Sequence, residues 1–177
     1  MQKITLEKSS TDLLHLQKQF SEFFSEIEPN LVHLGNIELA KSNLKEYLVL
    51  DEMYSRGENI SPGWVSNTRF WLIQNSDRIL GTLHLRHKLT PSLELAGGHI
   101  GYTIRPCERR KGYGSEILKL GLAKAADLGI QRVLITANKL NTASRKIIES
   151  NGGVFANESY DEKEKRVTVR YWVNLYA

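Results

Sequence analysis

Cysteine occurs once, at Cys107, so no internal disulfide can staple this chain and no cluster of thiolates can hold a metal. Long apolar runs are missing too. Phe70 to Ile73 and Tyr47 to Leu50 are the longest clear stretches, far short of the roughly 20 residues a bilayer helix needs. Dense Lys/Arg tracts interleaved with aromatics, the footprint of nucleic-acid binding, do not occur. The first residues, Met1 to Lys8, alternate like a strand and lack the charged-then-apolar layout of a secretory signal. No repeat, low-complexity segment or linker is visible. The expectation from these absences is a single domain over residues 1–177, cytoplasmic, with no membrane, metal or nucleic-acid partner.

What is present suits a globular core: 177 residues, 41% hydrophobic and 25% charged. The net charge of +4 is modest. Its notable concentration is Arg105, Arg109, Arg110 and Lys111, which suits an anionic ligand. A second cluster, Lys163-Glu164-Lys165-Arg166, falls where a hairpin turn is expected and reads as a solvated turn.

The periodicities place the elements. Ile4 to Glu7 reads as a strand, and Ser10, Thr11 or Asp12 can cap the helix after it. Leu13, Leu16, Phe20, Phe23, Phe24 and Ile27 form that helix's apolar stripe, with Pro29 marking its end. A second helix runs from Asn36 to Tyr54, facing Ile37, Ala40, Leu44, Tyr47 and Leu48 inward. Gly57 to Asn67 is a loop. Thr68 to Gln74 and Arg78 to Arg86 are strands joined at Asn75-Ser76-Asp77. Leu89 to Gly98 is another loop, and His99 to Arg105 a strand that Pro106 ends. Ile117, Leu118, Gly121, Leu122, Ala125 and Leu128 have helical spacing, with Gly129 as a stop. Arg132 to Asn138 is a buried strand rich in β-branched residues. Asn141 to Gly153 is a short helix closed by Asn-Gly-Gly, and Val154 to Tyr160 with Arg166 to Tyr176 a final hairpin. The sum is an α/β (α+β) fold, a mixed sheet with about four main helices.

The most informative stretch is Glu108-Arg109-Arg110-Lys111-Gly112-Tyr113-Gly114-Ser115, between a strand and a helix. Glycines let backbone N–H groups turn toward a ligand, and the helix N-terminus adds partial positive charge. That is chemistry for a phosphate or pyrophosphate. A P-loop would need Lys after its second glycine, and Lys111 precedes both. A dinucleotide fingerprint would need a third glycine where Ile117 stands.

The order that matches is Arg-x-x-Gly-x-Gly, at Arg109, Gly112 and Gly114, followed by a long helix, a strand and an Asn-x-x-Ser helix. From about Gly97 to Val154 this resembles the GNAT superfamily of N-acetyltransferases, whose pattern has these parts in this order. The resemblance implies a mostly antiparallel sheet splayed between two strands, and acetyl-CoA as cosubstrate. By that resemblance, Tyr102, Thr103 and Ile104 pair through their backbone with the pantetheine arm. Arg109, Arg110, Lys111, Gly112, Tyr113, Gly114 and Ser115 hold the pyrophosphate. Asn141 and Ser144 meet the pantetheine or phosphate from the second helix. Apart from the resemblance, Asn138 ends its strand on the side where the sheet should open, and is a candidate for the cofactor or for positioning an acceptor or water. Arg145 or Lys146 could reach the adenosine phosphate, although both also read as exposed helix cations.

The implied reaction is attack of a primary amine on the thioester, which needs a base, an oxyanion donor and an acid for the departing thiolate. A backbone N–H near Tyr102 or Thr103 could serve the oxyanion. Many members carry a tyrosine four residues after the helix serine, and here that residue is Ile148. Candidates for base or positioning group are His99, whose imidazole titrates near neutral pH, Glu94 acting through water, and Asn138. Tyr160 and Tyr171 could also reach the cleft, but sequence does not assign their faces. Cys107 sits beside the phosphate loop, away from the expected thioester, and reads as an ordinary loop cysteine. The expected activity is acetylation of a small-molecule amine by direct attack in a ternary complex, with a homodimer left open. Two alternatives stand beside it: a protein or peptide N-acetyltransferase, and a non-catalytic acyl-CoA sensor suggested by Ile148.

Overall fold

Asn43 shows how a local side chain divides the chain. Its Oδ1 accepts from the Glu46 N–H at 3.2 Å while its own φ of −146° breaks the helix before it. Asn36 caps the preceding helix in the same way, accepting from Leu39 N–H at 3.0 Å. The stretch expected as one helix is therefore two, α2 and α3 below.

The computed structural model describes residues 3–27, 35–162 and 164–176; Pro29 and Lys163 lie outside them. In chain order the elements are β1 (Ile4–Lys8), a 3-10 turn (Thr11–Leu16) running into α1 (Gln17–Glu26), α2 (Ile37–Ser42), α3 (Leu44–Ser55), β2 (Asn67–Gln74), β3 (Arg78–Arg86) and α4 (Pro91–Leu95). There follow β4 (Ile100–Ile104), a 3-10 turn (Pro106–Glu108), α5 (Tyr113–Asp127), β5 (Arg132–Asn138), α6 (Thr142–Ser150), β6 (Val154–Asp161) and β7 (Arg166–Asn174). Helix α4 interrupts the expected 89–98 loop, because Thr90 caps it through the Leu93 N–H and Pro91 supplies a helical φ at its first position.

Seven strands form two antiparallel sheets, ordered β1-β2-β3-β4 and β5-β7-β6. Alternation along β2 sends Phe70 and Leu72 to one face and Trp71 and Ile73 to the other. The first face packs on α5 through Leu83, Ile117, Leu118 and Leu122, in a core shared with β5 and β7. The second packs on α1, α2 and α3, where Phe20, Phe23 and Phe24 meet the Trp71 ring edge-to-face at 4.7–5.9 Å. In β7, Val169, Tyr171 and Val173 share the buried face, as the alternating pattern requires.

Beside their shared core, the two sheets are bridged through the backbone at His99. His99 N–H donates to the Leu134 carbonyl at 2.7 Å, and Leu134 N–H donates back to His99 Nδ1 at 2.9 Å. Gly98 makes this approach feasible: its φ is +62°, and a Cβ there would lie 2.5 Å from the Leu134 oxygen. Beyond His99, among the described residues, β4 pairs only with β3 and β5 only with β7. A wedge therefore opens between β4 and β5.

Arg105, grouped by sequence with the phosphate-loop cations, is committed elsewhere. Its guanidinium is buried and bonds Glu26 at 2.6 Å and Glu22 at 3.2 Å, tying the end of β4 to α1. The hydrogen bond from Arg105 holds the Glu26 carboxyl below the usual carboxylate range. Carboxylates on the neighbouring helix claimed this cation, which no local pattern foretells.

Candidate functional site

The wedge holds a cavity of about 860 Å³, bounded by the outer half of β4, the loop before α5, and the first turns of α5 and α6. Each wall follows from local chemistry. Leaving β4, the chain makes the Pro106–Glu108 turn, and Arg109 Nε folds back onto the Ile104 carbonyl at 3.1 Å. Arg110 (φ +65°) and Gly112 (φ +88°) then take left-handed conformations, which rotate successive peptide N–H groups to one side. Ser115 and Glu116 both donate to the Gly112 carbonyl, opening α5. Among the described residues, no backbone acceptor takes the N–H groups of Lys111, Gly112, Tyr113 or Gly114. On the opposite wall Asn141 caps α6, accepting from Ser144 N–H at 3.0 Å. Two helix N-termini thus face one cavity, and both favour an anion.

Tyr102, Thr103, Ile104, Arg109, Arg110, Gly112, Gly114, Ser115, Asn141 and Ser144 all line this cavity. Three other residues grouped with them do not. Lys111 Nζ pairs with Glu108 at 2.9 Å, and Arg78 holds the same carboxylate. Burial of Glu108 opposes its charge, but these two cations outweigh it and keep the carboxyl below its ordinary range. Tyr113 turns toward β2, its hydroxyl accepting from Gln74 Nε2 at 3.3 Å. Asn138 closes a turn, accepting from Leu140 N–H at 2.8 Å. Lining residues that sequence reasoning did not assign to the site are Thr142, Ala143 and Ile147. The signal was available, since residues 142 and 143 complete the capped turn and Ile147 stands one helical turn beyond Ser144. Lys146 also lines the cavity, whereas Arg145 turns away, donating to Tyr171 Oη at 3.1 Å.

The structure does not bring His99, Glu94 and Asn138 together. Glu94 is exposed on α4. His99 sits at the closed end of the wedge, its Nδ1 held by the Leu134 amide. Burial, with Arg86 adding to it, pushes the His99 pKa below that of a free imidazole. The unfolded chain therefore binds more protons, so His99 contributes stability that is full above about pH 6.5 and declines as pH falls toward the folded value. In His99→Asn the side-chain oxygen can still accept from Leu134. Stability by urea denaturation should then stay near wild type at pH 7 and fall less between pH 7 and pH 5. An unchanged pH slope would separate His99 from that loss.

Tyr171, another tyrosine considered for the cleft, is buried and its hydroxyl donates to Glu149 at 2.9 Å. Tyr160 is 53% exposed on β6. Ile148 is fully buried in the core behind α6, so its side chain belongs to packing. No cluster of His, Cys, Asp or Glu suited to a metal occurs among the described residues. No helix among them is long and apolar enough to cross a membrane.

Residues 29–154 match the Acetyltransferase (GNAT) domain family. The chain belongs to that family. As a GNAT domain it is an acetyl-CoA-dependent N-acetyltransferase, and acetyl-CoA is its cosubstrate. In a search of curated protein sequences, none matches it. Solved structures do. A ribosomal L7/L12 α-N-protein acetyltransferase in complex with coenzyme A superposes with a TM-score of 0.64 at 14% identity, covering 97% of this chain and 93% of that one. The ribosomal-protein-S5-alanine acetyltransferase from Vibrio fischeri gives 0.65 at 17%, over 99% and 93%. A spermidine N-acetyltransferase chimera from Vibrio cholerae and hSSAT gives 0.62 at 11%, over 98% and 95%. At these identities the shared property is the GNAT fold.

Proposed function

We propose that residues 1–177 work as one acyltransferase domain that moves the acetyl group of acetyl-CoA onto the primary amine of a small molecule. The observation that carries it is the continuity of one cavity from the loop amides at Gly112–Gly114 to the edge of β4 that faces away from β3. The loop end suits a pyrophosphate: unpaired N–H groups and a helix N-terminus face it, with Arg109 and Arg110 beside it. The strand end suits an amide-bearing arm, since Tyr102 to Ile104 can bond it as a neighbouring strand would. Acetyl-CoA supplies the activated acyl carbon and a thiolate leaving group; the protein orients it and moves protons.

A small amine is the proposed acceptor, a reading supported by a spermidine N-acetyltransferase among the similar structures. Protein N-termini are the second reading, since two of the similar structures are ribosomal-protein acetyltransferases while the third is a spermidine acetyltransferase. Calorimetry with acetyl-CoA, then thiol release over a panel of polyamines, amino sugars, amino acids and N-terminal peptides, decides among them. We expect saturable binding and turnover with a non-peptide amine. Turnover confined to peptides would move the acceptor to a protein N-terminus. Binding without thiol release from any acceptor would count against catalysis.

A homodimer in a cytoplasmic setting completes the proposal. Strand β6 supports it as an edge whose apolar Val154 and Phe155 are 68% and 53% exposed. Light scattering at micromolar concentration tests the dimer, and a monomer mass would refute it.

A further inference from the structure

Ile148 cannot protonate a departing thiolate, and its side chain is sealed in the core. The cavity nevertheless contains a phenol. Tyr102, from β4, lines it and reaches across the wedge until its hydroxyl lies 3.3 Å from Ser144 Oγ on α6. We infer that Tyr102 is the acid that protonates the thiolate leaving group, with Ser144 orienting its hydroxyl. This rests on the acetyl-CoA placement proposed above.

Three observations converge on Tyr102. Among the β4 residues lining the cavity it lies farthest from the phosphate loop, where an arm running up the strand from that loop places its reactive end. Its hydroxyl spans the wedge between the two walls that would enclose the arm. Among the described residues it is also the only phenol in the lining, since Tyr113 bonds Gln74 and Tyr171 bonds Glu149. The other acid there, Lys146, is exposed on α6 among residues facing solvent. Burial raises the Tyr102 pKa, so the phenol remains protonated at neutral pH and available to donate.

The step balances within the ternary complex. As the amine nitrogen bonds the acyl carbon and the C–S bond breaks, Tyr102 Oη–H gives its proton to sulfur. The phenolate oxygen recovers a proton from water, relayed by Ser144 Oγ, while the acceptor nitrogen releases its own to solvent. No oxidant, reductant or metal enters.

The test uses the full chain labelled with 13Cζ-tyrosine, titrated with CoA and with desulfo-CoA and followed by NMR, with calorimetry in parallel. We expect one resonance, absent from Tyr102→Phe, to move with CoA and to move much less with desulfo-CoA. Tyr102→Phe should bind both compounds with wild-type affinity. With the best acceptor from the amine panel its kcat should fall about a hundredfold at unchanged KM, the scale of a lost general acid. Ser144→Ala should lower kcat less and leave the CoA-dependent shift in place. A Tyr102 resonance unmoved by bound CoA, or equal shifts with CoA and desulfo-CoA, would overturn the assignment. So would a kcat within threefold of wild type, or parallel loss of affinity for both compounds in Tyr102→Phe. If CoA itself fails to bind the wild-type protein, the acetyl-CoA placement falls first and this role with it.

Discussion

Gly114→Glu should abolish measurable acetyl-CoA binding while the protein stays folded. Gly114 lies in the first turn of α5 with ordinary helical backbone, so a side chain brings no left-handed strain. Its Cβ would meet Ile147 Cδ1 at 2.7 Å, the tip of a flexible side chain that itself lines the cavity. A carboxylate on that atom enters the space between α5 and α6 and faces the proposed pyrophosphate position. Two like charges about 4 Å apart at an effective dielectric near 20 repel by about 4 kcal/mol, roughly a thousandfold in affinity. A carboxylate in the first turn of a helix is itself mildly stabilising, which keeps the fold intact. Calorimetry with acetyl-CoA and a thermal melt measure the two halves; normal binding would remove the pyrophosphate from this loop. Gly112 is the poorer position for the same experiment. Its φ of +88° would strain any side chain, so lost binding there would mix backbone distortion with repulsion.

The largest expected effect on stability lies away from the cavity, at Asp51. Its carboxylate is 4% exposed and accepts from Arg69 Nε at 2.9 and 3.1 Å and from Ser9 Oγ at 2.7 Å. Ser9 in turn accepts from Trp71 Nε1 at 3.1 Å, joining α3, β2 and the segment after β1. Asp51→Ala leaves a buried guanidinium without its carboxylate, a change that costs about 3–5 kcal/mol. For a chain of this length that lowers the melting temperature by roughly 10 °C. Replacing the pair together, as Asp51→Leu with Arg69→Met, should recover most of the loss, because the cost lies in the stranded charge. Urea denaturation of the two variants measures this. A double variant no better than Asp51→Ala would show that the pair contributes beyond neutralising itself.

The loop was legible because its chemistry is contiguous. Arg109, Gly112 and Gly114 stand within six residues, and the left-handed turn they require is a property of local backbone. The strands Arg78–Arg86 and Arg132–Asn138 were legible for a similar reason: β-branched and alternating apolar residues declare themselves over a short window. The break at Asn43 was harder to see, since the apolar stripe of α2 and α3 continues across it. The Asn43 side chain, accepting from the Glu46 N–H, divides the helices.

Charge allocation was not legible at all. Arg105 and Lys111 stand in one concentration of cations with Arg109 and Arg110, yet Glu22 and Glu26 hold one and Glu108 the other. His99 presents an imidazole that could titrate, but a Leu134 amide 35 residues away occupies its Nδ1. Sequence by itself determined the family, the glycine-bearing loop before α5 and the positions of most strands and helices, because each depends on interactions within a few residues of chain. Tertiary structure alone decided which cations face the cavity, why Ile148 cannot act there, and that the Tyr102 hydroxyl meets Ser144 across the wedge. Those outcomes depend on how two separate sheets diverge from His99, and that divergence arises between residues far apart in the chain.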